Sequence, residues 1–234
     1  MNVLIACEES QTVCKAFRAK GHRAFSADIQ ECSGGHPEWH IHGDVLPLLD
    51  GNCSFILQNG ERERQDGKWD LIIAHPPCTD LSVSGASWFE KKRADGRQLE
   101  SIIFFKKMLD ADCDKIAVEN PVNIIGGKYM QKWFPQYADM PKYTQAIQPY
   151  EHGHHASKKT CLWLKGLPKI VPTNIVDAGE WQTAASGRRY NYGSASAYAI
   201  DENGKIIAWN DPRTAKIRSK TYDGIAQAFA EQWG

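Results

Sequence analysis

Cys78 follows two prolines in the run His75-Pro76-Pro77-Cys78, and Glu119-Asn120 precedes a third at Pro121. Two prolines stiffen a turn and fix where the next side chain points. A thiol held that way becomes a strong nucleophile once its pKa is lowered. Glutamate and asparagine at the end of an apolar run, just before a proline, are poor choices for building a core. They suit a general acid and the amide that orients it. The pairing specifies a chemistry: attack by sulfur on an electrophilic carbon, assisted by a carboxylic acid.

Thiol and carboxylate are distant in sequence, so the fold must bring them together. Trp69-Asp70-Leu71-Ile72-Ile73-Ala74 and Lys115-Ile116-Ala117-Val118 are short apolar runs that end abruptly in polar, proline-bounded residues, as buried parallel strands do. Residues 96–109 read as an amphipathic helix, with Leu99, Ile102, Ile103, Phe105, Met108 and Leu109 on its apolar side. Strand, helix, strand is a right-handed crossover. It returns both strand ends to one edge of the sheet, where open α/β folds bind ligands.

Upstream, residues 2–6 and 23–27 read as strands around a helix over 11–20 that Gly21 closes. Residues 51–68 are polar and read as a loop or a frayed helix plus turn. Residues 130–141 read as a short helix and loop, and 142–149 and 160–164 as two more strands. Residues 223–232 read as a closing helix with Asp223 as its cap. Alternating strands and helices over the first 165 residues predict a doubly wound, mostly parallel sheet, a Rossmann-like α/β fold. Three divisions follow: a catalytic, cofactor-binding domain over 1–165, a small irregular recognition region over 166–217, and a C-terminal helix over 218–234 packing back on the first.

With 234 residues and 42% hydrophobic side chains, the chain can bury one α/β core with a modest appendage. Its apolar runs are far short of a membrane span, so no membrane partner is expected. The start, Met-Asn-Val-Leu-Ile-Ala-Cys, lacks a basic leader and enters directly into a strand-like run. Seven cysteines (Cys7, Cys14, Cys32, Cys53, Cys78, Cys113 and Cys161) are odd in number and do not read as a disulfide framework. A reducing cytoplasm is the expected setting. Net charge is zero, but residues 1–150 hold 17 Lys and Arg against 20 Asp and Glu, whereas 151–220 hold 11 against 6. That basic third carries Lys158, Lys159, Arg188, Arg189, Arg213, Lys216, Arg218 and Lys220. It reads equally as a surface for a phosphate backbone or as a solvated face.

The first loop, Ala6-Cys7-Glu8-Glu9-Ser10, has no glycine-rich phosphate cradle, and its two carboxylates would repel a pyrophosphate. That disfavours NAD, FAD and ATP. It suits a cofactor without phosphates and with a cationic or amino-bearing part, such as S-adenosylmethionine. Asp28 falls about twenty residues after that loop at a strand end, where an acid grips ribose hydroxyls, and Ile29 follows it. Asp44 and Val45 stand where a third strand exit would approach an adenine. His75 and Pro76, on the turn itself, complete the expected cofactor set.

Pro-Pro-Cys after a strand, Glu-Asn one crossover later, and acids after strands two and three resemble the cytosine-C5 DNA methyltransferases, above all their small phage- or prophage-type members. The likeness covers most of residues 2–165. The segment Arg218-Ser-Lys-Thr-Tyr-Asp-Gly-Ile-Ala-Gln-Ala-Phe-Ala-Glu-Gln-Trp233 is similar to that family's C-terminal helix. The resemblance implies that Cys78 adds to C6 of a target cytosine and that Glu119 protonates or hydrogen-bonds N3. It implies that S-adenosylmethionine supplies a methyl group to C5, and that Asn120 fixes the loop bearing Pro77 and Cys78. The implied substrate is DNA whose base leaves the stack, with the basic face over 151–220 on its phosphates, in the cytoplasm of a bacterial host.

The chain departs from the family in three places. The family's Phe-x-Gly-x-Gly-Gly loop is here Ala6-Cys7-Glu8-Glu9-Ser10, and the glutamine that often follows the cysteine is Thr79. The Arg-x-Arg strand is represented by Lys158-Lys159-Thr160, with Lys158 as the counterpart of its arginine. Only the irregular stretch 168–218 is left to read DNA sequence, so recognition is expected to be short or lax.

Three other readings stay open. An amino-methyltransferase acting on adenine N6 or cytosine N4 shares Pro-Pro after the same strand, but asks for Asp, Asn or Ser at His75 and an aromatic at Cys78. C5 modification of a free cytosine nucleotide, or use of a modified cofactor, fits the small recognition region and the altered first loop. A non-catalytic DNA-binding relic is disfavoured by the intact Cys78, Glu119 and Asn120. Cys32, His36, His40 and His42, and separately His152, His154 and His155, have spacings compatible with metal ligation. Neither group matches a compact zinc pattern, and no metal is expected. Trp88, in the loop after Cys78, is the tryptophan suited to stack on nucleic acid.

Overall fold

The computed structural model describes residues 1–179 and 219–234 without a break and, between them, 181–183, 187, 189–191, 199–200, 206–207, 211 and 213–214. The first half contains β1 (Asn2–Ala6), α1 (Thr12–Ala19), β2 (Arg23–Asp28), β3 (His40–His42), β4 (Cys53–Ile56), β5 (Arg62–Gln65) and β6 (Leu71–Ala74). There follow α2 (Phe89–Ala94), α3 (Arg97–Leu109), β7 (Ile116–Pro121), α4 (Lys128–Trp133), β8 (Gln145–Ile147) and β9 (Thr160–Lys165). After two short antiparallel pairs, Trp181–Thr183 with Arg189–Asn191 and Ala199–Ile200 with Ile206–Ile207, helix α5 (Asp223–Trp233) closes the chain.

Seven strands form one sheet in the order β3-β2-β1-β6-β7-β9-β8. Strands β3, β2, β1, β6 and β7 pair in parallel, while β9 runs antiparallel to both of its neighbours. The fold is therefore the doubly wound, mostly parallel α/β class that the alternation of elements implies. The reversal at β9 has a local cause. No α-helix lies between β8 and β9, and without a crossover the chain can only turn back antiparallel.

The central strands are apolar on both faces because both are covered. Val3, Ile5, Leu71 and Ile73 pack on one side with Val13 and Phe17 of α1 and with Phe229 and Trp233 of α5. Leu4, Ala6, Ile72 and Ala74 pack on the other with Ile102, Phe105 and Met108 of α3. Each such side chain, fully buried, contributes about 1.5–3 kcal/mol. Alternation along β1 and β6 thus fixes which residues support the helices, and it leaves the strand ends free for chemistry. No helix among the described residues is long and apolar enough to cross a membrane.

Two local expectations are corrected. Residues 51–68 hold a β-hairpin of β4 and β5, not a frayed helix. Its turn is Gln58-Asn59-Gly60, closed by the Gly60 N–H on the Leu57 carbonyl with Gly60 at φ 92, and Phe55 on β4 meets Phe25 of β2 with ring centroids 5.2 Å apart. Asp223 lies inside the first turn of α5, and Tyr222 occupies the cap position, its side chain making no capping bond to the helix. The free N–H of Gly224 donates instead to His154 Nε2 at 2.9 Å. Residues 167–176 lie along the main sheet body: Gln145 and Ile170 exchange bonds, as do Val171 and Gln232, and Trp233 donates to the Pro168 carbonyl.

Candidate active site

The edge where β6 and β7 end is built by register. Ala74 of β6 stands beside Val118 of β7, so one step further along each strand brings His75 beside Glu119, and the next brings Pro76 beside Asn120. The side chains respond accordingly. His75 Nδ1 lies 3.0 Å from Glu119 Oε2, and the Asn120 amide donates to the Pro76 carbonyl at 2.7 Å. Asn120 is buried and in turn accepts from Asn123 Nδ2 at 2.9 Å. Parallel pairing thus places the turn bearing Cys78 and the strand bearing Glu119 in contact at two points.

Cys78 is half-buried, and its carbonyl accepts from the N–H groups of Leu81 and Ser82. The two residues after it are pinned from α2 and α3. Lys92, only 7% exposed, donates to the Thr79 carbonyl and stands 3.3 Å from the Asp80 carboxylate, while Gln98 donates to the Asp80 carbonyl. Lys92 is a positioning residue that sequence reasoning passed over. Its sole signal is a lysine on the inward side of a short helix.

His75 and Glu119 form a buried ionic pair, with side chains 11% and 16% exposed. Burial alone would lower the imidazole pKa, but the bond and charge of Glu119, together with the charge of Glu8, raise it; Lys158 opposes them. For Glu119 burial pushes upward, and the bond and charge of His75 and the charge of Lys158 outweigh it and hold the carboxyl below its ordinary range. Lys158, just ahead of β9, therefore stands within electrostatic reach of both. Its stem also brings the ammonium over the Tyr222 ring, 6.0 Å from the centroid.

On the β1 side, the loop Ala6-Cys7-Glu8-Glu9-Ser10 keeps a glycine-type backbone without glycines. Cys7 has φ 60, and Gln11 just beyond has φ 58. Glu8 turns inward and accepts the N–H groups of Val13 and Cys14 at 2.6 and 3.1 Å, so a carboxyl group already occupies the N-terminus of α1. Glu9 is bonded to the Ser33 hydroxyl, and the Ser10 and Thr12 hydroxyls meet at 3.2 Å. Burial, then the charges of Asp28 and Asp44, push the Cys7 thiol up to about 12, which keeps it protonated. Cys7, Asp28 and Asp44 thus share one corner. Asp28 Oδ1 accepts from Gln30 N–H and Asp44 Oδ1 from Leu46 N–H, Val45 is buried, and Ile29 projects outward at 76% exposure.

The loop histidines serve the scaffold. His40 Nδ1 meets Ser26 Oγ at 2.9 Å, His42 Nε2 meets the Ile29 carbonyl at 3.0 Å, and His36 stacks on Trp39. Trp88 is 61% exposed beyond the Cys78 turn. Of the basic residues between 151 and 220, Arg188, Lys205, Lys216 and Arg218 lie outside the described residues, as does much of the stretch from 184 to 218.

No family model matches this chain, and no curated protein does. Among solved structures it is similar to a protein described as a DNA modification methyltransferase encoded within an E. coli prophage, at 15% identity and a TM-score of 0.44, over 76% of this chain and 52% of that one. It is also similar to the bifunctional kinase-methyltransferase WbdD, at 12% identity and a TM-score of 0.35, over 78% of this chain and 38% of that one. The chain thus spans about half the length of the first and less of the second. At such identity and overlap, the chemistry has to be read from this chain's own residues.

Proposed function

We propose that this chain is an S-adenosylmethionine-dependent methyltransferase acting on C5 of cytosine in DNA. The observation that carries the reading is the tie between the Cys78 turn and the Glu119 strand, through Asn120 to Pro76 and His75 to Glu119. A thiol and a carboxyl group held in fixed relation at a sheet edge suit attack on C6 and protonation at N3 of one pyrimidine ring. Cys78 Sγ adds to C6, Glu119 stabilises the ring at N3, and C5 becomes electron-rich. After C5 is alkylated, a base removes its proton, the C6–S bond breaks, and sulfur leaves as the thiolate.

The residues around β1 and β2 fit the cofactor. Glu8 fills the helix N-terminus where a phosphate would otherwise bind. Asp28 and Asp44 offer carboxylates for hydroxyl and amino groups, and the exposed Ile29 offers an apolar surface for an adenine. When bound, S-adenosylmethionine would supply an electrophilic methyl group. Lys158 neutralises charge near Glu119 and adds to the attraction for a polyanion.

The test uses labelled S-adenosylmethionine and DNA containing 5-fluorocytosine, in which fluorine replaces the C5 proton and cannot be eliminated. A denaturant-stable protein–DNA adduct that vanishes in Cys78→Ser is the expected result. Label transfer that survives Cys78→Ser overturns the reading in favour of an amino-methyltransferase. Transfer to a free cytosine nucleotide alone keeps the chemistry and replaces the substrate.

A further inference from the structure

We propose that His75 is the positioning residue that loads Glu119 with the proton it delivers to N3 of the target ring. The inference rests on the methyl-transfer reading above and goes beyond it in assigning where that proton is stored. Glu119 as a bare carboxylate can accept a hydrogen bond from a ring amino group but has nothing to give N3. His75 supplies the missing proton through its 3.0 Å contact with Glu119 Oε2.

Three features support this. The contact follows from strand register, since His75 and Glu119 each stand one residue past the paired Ala74 and Val118. The imidazole also has a second nitrogen, Nε2, that is buried and without a hydrogen-bond partner among the described residues. Such an atom is costly to leave unpaired, and an acceptor on a bound ligand would satisfy it. Finally, the charged groups facing His75 from each surrounding element are Glu119 on β7, Glu8 after β1 and Lys158 before β9. Burial and Lys158 oppose the imidazolium, and the bond and charge of Glu119, aided by Glu8, outweigh them, so the proton-holding form is favoured.

The step balances as follows. As the Cys78 thiolate, its proton already lost to solvent, bonds to C6, the Nδ1–H bond of His75 breaks and its proton passes to the Glu119 carboxylate. That O–H bond breaks in turn as N3–H forms, leaving neutral imidazole and carboxylate. When the C6–S bond breaks at the end of the cycle, the N3 proton returns by the same route. Nothing is oxidised or reduced.

The test joins a titration to a rate profile. In the full chain with labelled histidine, nuclear magnetic resonance is expected to show His75 titrating above its ordinary value of 6.5, and falling in Glu119→Gln. His75→Gln keeps a hydrogen bond to Glu119 but stores no proton. It is expected to lower kcat about 10²-fold and to move the alkaline limb of the rate profile toward lower pH. A merely structural role would lower the rate without moving that limb. Titration of His75 below 6.5 in the parent protein overturns the inference. So does an unmoved limb in a His75→Gln protein that still forms the 5-fluorocytosine adduct. Failure of the parent protein to form that adduct strikes the methyl-transfer reading itself, a result distinguishable from the other two.

Discussion

The side-chain amide of Asn120 donates to the Pro76 carbonyl at 2.7 Å, across the gap between the strand that carries Glu119 and the turn that carries Cys78. Removing it leaves a buried carbonyl unpaired, at a cost of about 1–3 kcal/mol. Loss of alignment costs more, since a shift of about 1 Å in a reacting group lowers a rate about 10²-fold. Asn120→Ala is therefore expected to slow single-turnover methyl transfer about 10²-fold. Its melting temperature should fall by only about 2–10 °C. A rate within about twofold of the parent would mean that the prolines alone hold the turn.

Lys92 and Asp80 lock the segment after Cys78 from below. Both are largely buried, so Asp80→Ala strands an ammonium with its carbonyl partner only. Breaking a buried pair in that way costs about 3–5 kcal/mol, and replacing both partners with apolar groups recovers much of it. Urea unfolding of Asp80→Ala, Lys92→Met and the double variant is expected to show strong coupling. Additive losses would mean that the two charges act independently.

Glu8 should make the protein lose stability as pH rises through the acid range. Burial raises its pKa above the ordinary 4.5, although the charge of His75 and the Val13 and Cys14 N–H groups pull it down; Glu9 adds to the rise. A folded value above the unfolded one means that its contribution is complete below the unfolded pKa and is lost as pH rises through the folded one. Thermal unfolding from about pH 4 to about pH 8 should thus show the parent losing ground steadily against Glu8→Gln. A constant difference would contradict the assignment.

Ile29 tests the cofactor side. An isoleucine left 76% exposed beside Asp28 contributes little to the core. Covering it with an adenine would contribute about 1–2 kcal/mol to binding, or about tenfold in affinity. Ile29→Ala is expected to raise the Kd for S-adenosylmethionine by about that factor with an unchanged melting temperature. Calorimetric titration measures both halves of the statement. An unchanged Kd would place the adenine elsewhere.

The periodicity of β1, β6, β7 and α3 was legible because a strand covered on both faces and a helix with one apolar side leave plain patterns. Meeting of Cys78 and Glu119 at one edge followed from crossover handedness alone. The hairpin of β4 and β5 was not legible from hydrophobicity, because β5 reads Arg62-Glu63-Arg64-Gln65 and buries little besides Gln65. Its one clear signal was Asn59-Gly60. The His75–Glu119 pair was hidden for a different reason. A histidine before two prolines points to any nearby function, and its partner is fixed only when the register of two distant strands is known. Glu8 shows the same limit. Its charge is plain in the sequence, but its inward turn onto the α1 N-terminus depends on the left-handed backbone at Cys7 and Gln11.

Because β9 runs against β7, the chain reaches the reactive edge at Lys158 and departs on the opposite edge at Lys165. Residues 167–176 then run back beside β8, where Thr173 and Asn174 donate to the Glu151 carbonyl and Val176 to the Tyr150 carbonyl. Tyr222 lies under Lys158, so what joins Val176 to Tyr222 is rooted at both ends on the side of the sheet that carries Cys78. Gly166, packed against the Asp114 carbonyl, leaves no room for a graft. A loop or foreign module spliced between those two roots would instead emerge beside Cys78, so its length would bear on access to that turn.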